Sequence, residues 1–288
     1  MTPVPLAHPV TVPVVLPEVR DVRDHLIAGK ATVPAVELLE FLLRTTAPHL
    51  GAGDTIPLPI AMSDAAFARF LPADEIDQCT FEVTLEHAGG HAGLGVRATL
   101  TSRIALAGGM RRARVHAECT LAGPPTAAPS PPSDLDCDFE VPAERMYHEL
   151  IPFGPRFRNL RGTLRLGRTG ATGLVRSPEP PRWPAPLAGC PYLLDAAMHL
   201  ACVWGQRYAG VVAYPTGFAT RVLTSPLAHG ERRCIVAPRA VEPRRLLCDL
   251  WLTDGAGEIC DVVLGLAMSP LAAGAPPPKW IALAQERP

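Results

Sequence analysis

Two stretches of this 288-residue chain are apolar almost all the way round a helix: PAVELLEFLLR at 34–44 and PYLLDAAMHLACVWGQR at 191–207. A helix without a broad polar face has to be covered on most sides. In the first, Pro34 suits the first helical position with Thr32 or Val33 in the cap region, and only Glu37, Glu40 and Arg44 are polar. Its cover is at hand in strand-like segments at 10–16, 80–87, 95–106 and 112–121, which have partial alternation and β-branched residues. The second helix has its own set: NLRGTLRLG (159–167), ATGLVRS (171–177), VVAYPTGF, RCIVAP, LLCDLWLTD and EICDVVLGLAM, the last two joined by the turn DGAG. Between the sets lies AGPPTAAPSPPSD (122–134), with five prolines and no large apolar residue, which reads as an extended linker. The expected organisation is a first half at 1–121, a linker at 122–134 and a second half at 135–288. Each half is an α+β unit of the hotdog kind, an antiparallel sheet wrapped on a buried helix.

Composition removes several function classes. With 48% apolar residues the chain fills a real core, and 27 Lys+Arg against 28 Asp+Glu give no global pull toward nucleic acid or anionic membrane. No 18-residue apolar run exists, and MTPVPLAHPVTVPVVLPEVR lacks the parts of a signal peptide, so a cytoplasmic protein is expected. The eight cysteines form no CxxC pair, which points to reduced thiols and no metal site. GLGVRA (93–98) spells a dinucleotide fingerprint, but its continuation has strand character where the motif needs a helix. His87 and His91 flank a glycine turn, not a chelating helix face. Arg111, Arg112 and Arg114, and Arg156, Arg158, Arg161, Arg165 and Arg168, read as solvated strand faces, with a docking surface for an acidic partner as the alternative.

Three residues stand out. Asp195 is a carboxylate in the first turns of a helix that reads as buried, where burial favours the protonated form and so a general acid. His199, four residues on, shares its face; the lesser alternative for the pair is a satisfied polar contact at the helix mouth. His25 precedes the first helix by nine residues, and local physics alone makes it a surface or capping residue more often than a base.

The residues around these positions resemble the dehydratase domains of polyketide synthases. HLIAGKATVP, from His25 through Gly29 to Pro34, fits the HxxxGxxxxP motif of that family, and CPYLLDAAMH, from Cys190 through Asp195 to His199, is similar to its DxxxQ/H motif. YHELIPFGPRFRNL, with Phe153, Gly154, Pro155 and Phe157, resembles the YGPxF region, and the early His8-Pro9 and the last hairpin are in the family's order. Three departures stand: Ala35 follows the motif proline where glycine is common, Phe153 replaces a tyrosine, and Cys190 replaces a histidine.

The resemblance implies a double hotdog, two halves fused as a pseudo-dimer with the site between them. It implies a 3-hydroxyacyl-thioester dehydratase with His25 as general base and Asp195 as general acid. His199, Gly29 and Pro34 are then supporting residues, and Phe153, Gly154, Pro155, Phe157 and Tyr192 line the substrate. The substrate would ride on the phosphopantetheine arm of an acyl carrier protein, alongside other synthase components, with no metal or redox cofactor; a homodimer and either a stand-alone or an excised domain fit equally. The rivals are an isomerase, hydratase or cyclase using the same site, and a non-catalytic acyl-binding module that has kept the fold.

Overall fold

The computed structural model describes residues 8–16, 20–50, 58–90, 93–105, 110–122, 127–179, 188–225, 230–242, 244–271 and 276–283. His91, part of the linker (123–126) and the stretch at 106–109 lie outside them. The first half contributes β1 (Val10–Val14), a small hairpin β2 (Leu26–Ile27) and β3 (Lys30–Ala31), α1 (Ala35–Thr46), β4 (Ile60–Ala66), β5 (Thr80–Gly90), β6 (Gly93–Ala105) and β7 (Arg111–Ala122). The second contributes β8 (Phe139–Pro142), α2 (Ala143–Glu149), β9 (Leu160–Gly167), β10 (Gly170–Arg176), α3 (Pro191–Trp204), β11 (Ala213–Leu223), β12 (Glu231–Glu242), β13 (Arg245–Thr253) and β14 (Ile259–Pro270).

Two helices wrapped by antiparallel strands are present, and they share more than an interface. Twelve strands form one sheet in the order β1-β5-β6-β7-β4-β11-β14-β13-β12-β10-β9-β8, so the halves are joined edge to edge by β4 and β11. An exposed edge strand is a liability, and pairing β4 with β11 removes one from each half. Gly217 sits at that seam opposite Ala66, where a Cβ would overlap the Ala65 carbonyl, so only glycine permits the approach. β4 carries little alternation, and sequence patterning did not mark it. The GLGVRA segment lies in β6, as its strand character indicated.

Every residue of α3 is buried, and α1 hides all but a few. Pro34 takes the N-cap position rather than the first helical one, and Thr32 does not cap: its hydroxyl donates to the Lys30 carbonyl. Glu40 is buried on α1 because it has partners on two sides, accepting from Arg44 Nε at 2.6 Å and from the Ala188 N–H at 2.6 Å. Arg221, also buried, pairs with Asp261 and donates to the Ala188 carbonyl at 2.6 Å. The connection entering α3 is therefore gripped by one charge from each half.

Candidate active site

His25 lies between a short 3-10 turn (Arg20–Asp24) and β2. Its Nδ1–H donates to the Thr32 carbonyl at 2.8 Å, which leaves Nε2 as the free basic nitrogen. Thr32 in turn donates its N–H to the His25 carbonyl at 2.9 Å, so the β2–β3 hairpin closes on the residue that orients the ring. The turn of that hairpin has positive φ at Ala28 and Gly29.

From the second half, α3 presents Asp195 to the same point: His25 Nε2 is 3.8 Å from Asp195 Oδ1. His199 Nε2 approaches Asp195 Oδ2 at 2.9 Å, but too bent for a hydrogen bond, so neither atom has a linear partner among the described residues. Tyr147, on α2, decides the tautomer of His199. Its phenol oxygen accepts the N–H groups of Asn159 and Leu160, each at 2.9 Å, so its own hydrogen is left to donate to His199 Nδ1 at 3.2 Å. His199 therefore carries its proton on Nε2, facing the carboxylate. Burial pushes the Tyr147 phenol well above its ordinary ionisation range, which keeps it a donor.

Burial lowers the pKa of His25, outweighing the pull of Asp195, which favours the neutral imidazole. For Asp195, burial alone would raise the pKa, as expected from its apolar helix. The imidazoles of His199 and His25 more than reverse that, and the carboxyl is held below its usual range. The expectation of a protonated Asp195 in the free site is thus corrected, because two imidazoles stand within 4 Å of it.

The His25–Asp195 pair lies on a cavity of about 880 Å3 whose wall includes Gly29, Phe153 and His199. Pro34, Gly154, Pro155, Phe157 and Tyr192 are not part of that wall. Pro34 opens α1, while Phe157 packs edge-on against the His25 ring, 5.1 Å between centroids, with Tyr192 behind it. Gly154 and Pro155 serve a dock between halves. The Gly154 N–H donates to the Asp24 carbonyl at 2.7 Å, and a Cβ there would press into the Asp24 side chain, 2.7 Å from its own Cβ. The Arg156 N–H donates to Asp24 Oδ2 at 3.0 Å, and its guanidinium and the Tyr192 hydroxyl both reach Asp21 Oδ2 at 3.1 Å.

This overturns the reading of the arginines at 156–168 as one surface set. Arg156 anchors the segment before His25, and Arg158 donates to the Phe153 carbonyl at 2.6 Å. Arg161, Arg165 and Arg168 do face solvent. Sequence reasoning passed over Asp21, Asp24 and the part played by Tyr147, and took Thr32 for a capping residue. Tyr147 stood at the head of the GPxF stretch, but nothing local connected it with His199, 52 residues away.

A family model described as the polyketide synthase dehydratase N-terminal domain matches residues 122–278. Among curated protein sequences none matches the chain. Among solved structures, the dehydratase domain from the CurK module of curacin polyketide synthase is 18% identical, with a TM-score of 0.70 over 95% of this chain and 98% of that one. The dehydratase domain of the polyketide PpsC from Mycobacterium tuberculosis is 20% identical, with a TM-score of 0.69 over 92% of this chain and 93% of that one. These likenesses carry the double-hotdog fold, and the sequence model, spanning more than half of the chain, carries the family. The chain belongs to the polyketide synthase dehydratases, a family of hydro-lyases.

Proposed function

We propose that this protein removes water from a 3-hydroxyacyl thioester, delivered on the phosphopantetheine arm of an acyl carrier protein, to give the 2-enoyl thioester. His25 acts as the base and Asp195 as the acid. The observation that carries this reading is the 3.8 Å approach of His25 Nε2 to Asp195 Oδ1, one group from each half, on the wall of a single large cavity. An acyl-binding module has no use for a desolvated imidazole facing a carboxylate. Among related structures, a histidine-to-phenylalanine variant of the CurJ dehydratase and an aspartate-to-asparagine variant of the CurK dehydratase are both inactive mutants. We read His25 and Asp195 as the residues that play the corresponding parts in this chain.

The protonation states suggest how the two would share the work. Neutral His25 takes the α-proton through Nε2, and the electrons move toward the thioester carbonyl. The Glu37 N–H is taken by the Pro34 carbonyl, which leaves the Ala35 and Val36 N–H groups at the start of α1, and Ala35 lines the cavity, so that end of the helix would polarise the carbonyl oxygen. The new imidazolium stands against the Asp195 carboxylate and passes its proton to it. Asp195 then gives that proton to the departing hydroxide, and the C–O bond breaks as the C–C double bond forms. One proton leaves carbon and ends in water; both side chains return to their starting state, and the steps call on no metal or redox cofactor. The Tyr147–His199 contact holds Asp195 in place. Residues 1–121 and 135–288 serve as the two halves, with 122–134 between them, other synthase components supplying the substrate, and a homodimer as the working assembly.

The test is mass spectrometry of a carrier-bound 3-hydroxyacyl chain. Loss of one water on incubation is expected; an unchanged mass, or isomerisation of an enoyl chain without water exchange, sinks the dehydratase reading.

A further inference from the structure

Where the cavity meets solvent it is lined by exposed residues, Leu26, Gly29, Arg69 and Phe70 among them. The last two stand on a segment pinned across the seam between the halves. The Phe67 N–H donates to the Thr216 carbonyl of β11 at 2.8 Å, and the Ala68 N–H to the His116 carbonyl of β7 at 3.0 Å. Beyond them the Val33 N–H donates to the Leu71 carbonyl at 2.9 Å, and Pro72 bridges Thr32, the residue that orients His25. Arg69 and Phe70 are thus carried on a short span tied down at both ends, and at most about 10 Å of chain separates Arg69 from Pro72. Phe70 is 42% exposed and rests on Tyr214 of the second half, 4.7 Å between ring centroids. Of the charged and imidazole side chains on the wall, His25, Asp195 and His199 belong to the chemistry above, and Glu149 is held by Arg145 at 2.9 Å. That leaves Arg69, an exposed guanidinium with no hydrogen bond or ion pair among the described residues.

We infer that Arg69 binds the phosphodiester of the phosphopantetheine arm at the cavity rim, with Phe70 and Tyr214 as the apolar ledge on which the uncharged part of the arm lies. The inference rests on the proposed dehydratase reading and adds where the carrier-borne substrate is gripped. The arm carries its phosphate at the end remote from the thioester, so a thioester placed beside His25 leaves the phosphate toward the rim. A guanidinium presents a planar fork of donors that matches two phosphate oxygens, and such charge-assisted bonds are the strong ones. An arginine with no protein carboxylate to give up, on a backbone tied down at both ends, loses little on binding. Near its phosphate the arm has a dimethyl carbon, an apolar group that suits an exposed phenyl ring next to the cation.

The experiment compares one 3-hydroxyacyl chain on two carriers without protein: pantetheine, and 4′-phosphopantetheine capped as its methyl diester. The reading is the ratio of kcat/KM for the phosphodiester and the pantetheine thioester in one enzyme sample, so the folded fraction cancels. At low salt the wild-type ratio is expected to be about tenfold or more, shrinking as salt is added. In Arg69→Gln it should fall toward one, and Arg69→Lys should keep part of it. Phe70→Ala should raise KM for both thioesters together and leave the ratio in place. A wild-type ratio near one overturns the inference, because the phosphate is then not read at all. A ratio unchanged in Arg69→Gln overturns it by placing the phosphate elsewhere, and equal loss on both thioesters in that variant does so by making Arg69 a brace of the rim. An unchanged KM for both in Phe70→Ala overturns the ledge. Should neither thioester lose water, the dehydratase reading fails instead, and the same ratio measured as binding by calorimetry still decides the role of Arg69.

Discussion

The central helices of the two halves occupy corresponding places and do opposite work. α1 buries two carboxylates, Glu37 and Glu40, and Glu40 is spent on structure, held by Arg44 and gripping the chain that enters α3. α3 buries Asp195 and His199 and turns both to the cavity. The proposed base of the first half lies off its helix, just after the Arg20–Asp24 turn that the second half clamps through Gly154 and Arg156. Two copies of one architecture thus contribute differently: one half supplies the proposed acid from its buried helix, the other the proposed base, whose position depends on its neighbour. A site built this way exists only while the halves are joined.

The sharpest way to break that division is to remove each group in turn. His25→Ala and Asp195→Asn are each expected to lower kcat by ~10²- to 10⁴-fold while leaving the fold intact. The double variant should lose much less than the product, because the two act on one proton. Turnover of a carrier-bound substrate, with circular dichroism as the check on folding, measures this. An Asp195→Asn enzyme near the wild-type rate would move the acid elsewhere.

The dependence of the base on the second half is tested at Gly154. Gly154→Ala forces a methyl group into Asp24 and should shift the segment that ends in His25. A displacement of this kind costs up to about 10²-fold in kcat, with KM changed far less. An unchanged kcat would show that the hairpin positions His25 without the clamp.

The pH profile separates the relay from the simpler picture of a protonated acid. Burial lowers the His25 pKa, so neutral base persists to lower pH and the acid limb of kcat/KM should lie below the ordinary histidine value of 6.5, falling about tenfold per pH unit beneath it. Asp195 is also held low, so the profile should stay flat on the alkaline side until the protein itself fails. An alkaline limb that vanishes in Asp195→Asn would show that Asp195 enters the cycle protonated. Stability carries the same sign: unfolded His25 binds a proton near 6.5 and folded His25 only below that, so the fold weakens as pH falls through this window.

The smallest effect on rate is expected at Tyr147, whose influence passes through His199. Tyr147→Phe removes the donor to His199 and leaves the buried N–H groups of Asn159 and Leu160 unpaired. Each orphaned N–H costs about 1–3 kcal/mol of stability, read in urea unfolding, while activity falls only a few-fold. A larger loss of rate than of stability would move Tyr147 into the chemistry.

The sequence by itself determined the two buried helices, most of the strands around them and the pair of motifs carrying His25 and Asp195, because these depend on local periodicity and on residues close together along the chain. Tertiary structure alone decided the rest. β4 joins the halves through backbone pairing that its side-chain pattern does not announce. Phe157, Tyr192 and Gly154 sit beside the motif residues in sequence yet brace the base from behind the cavity wall, a matter of which way the docked segment faces. The charge of Asp195 reversed the expectation drawn from its apolar helix, since a pKa answers to the groups within a few ångströms. One of the two imidazoles that set it comes from a residue 170 positions away.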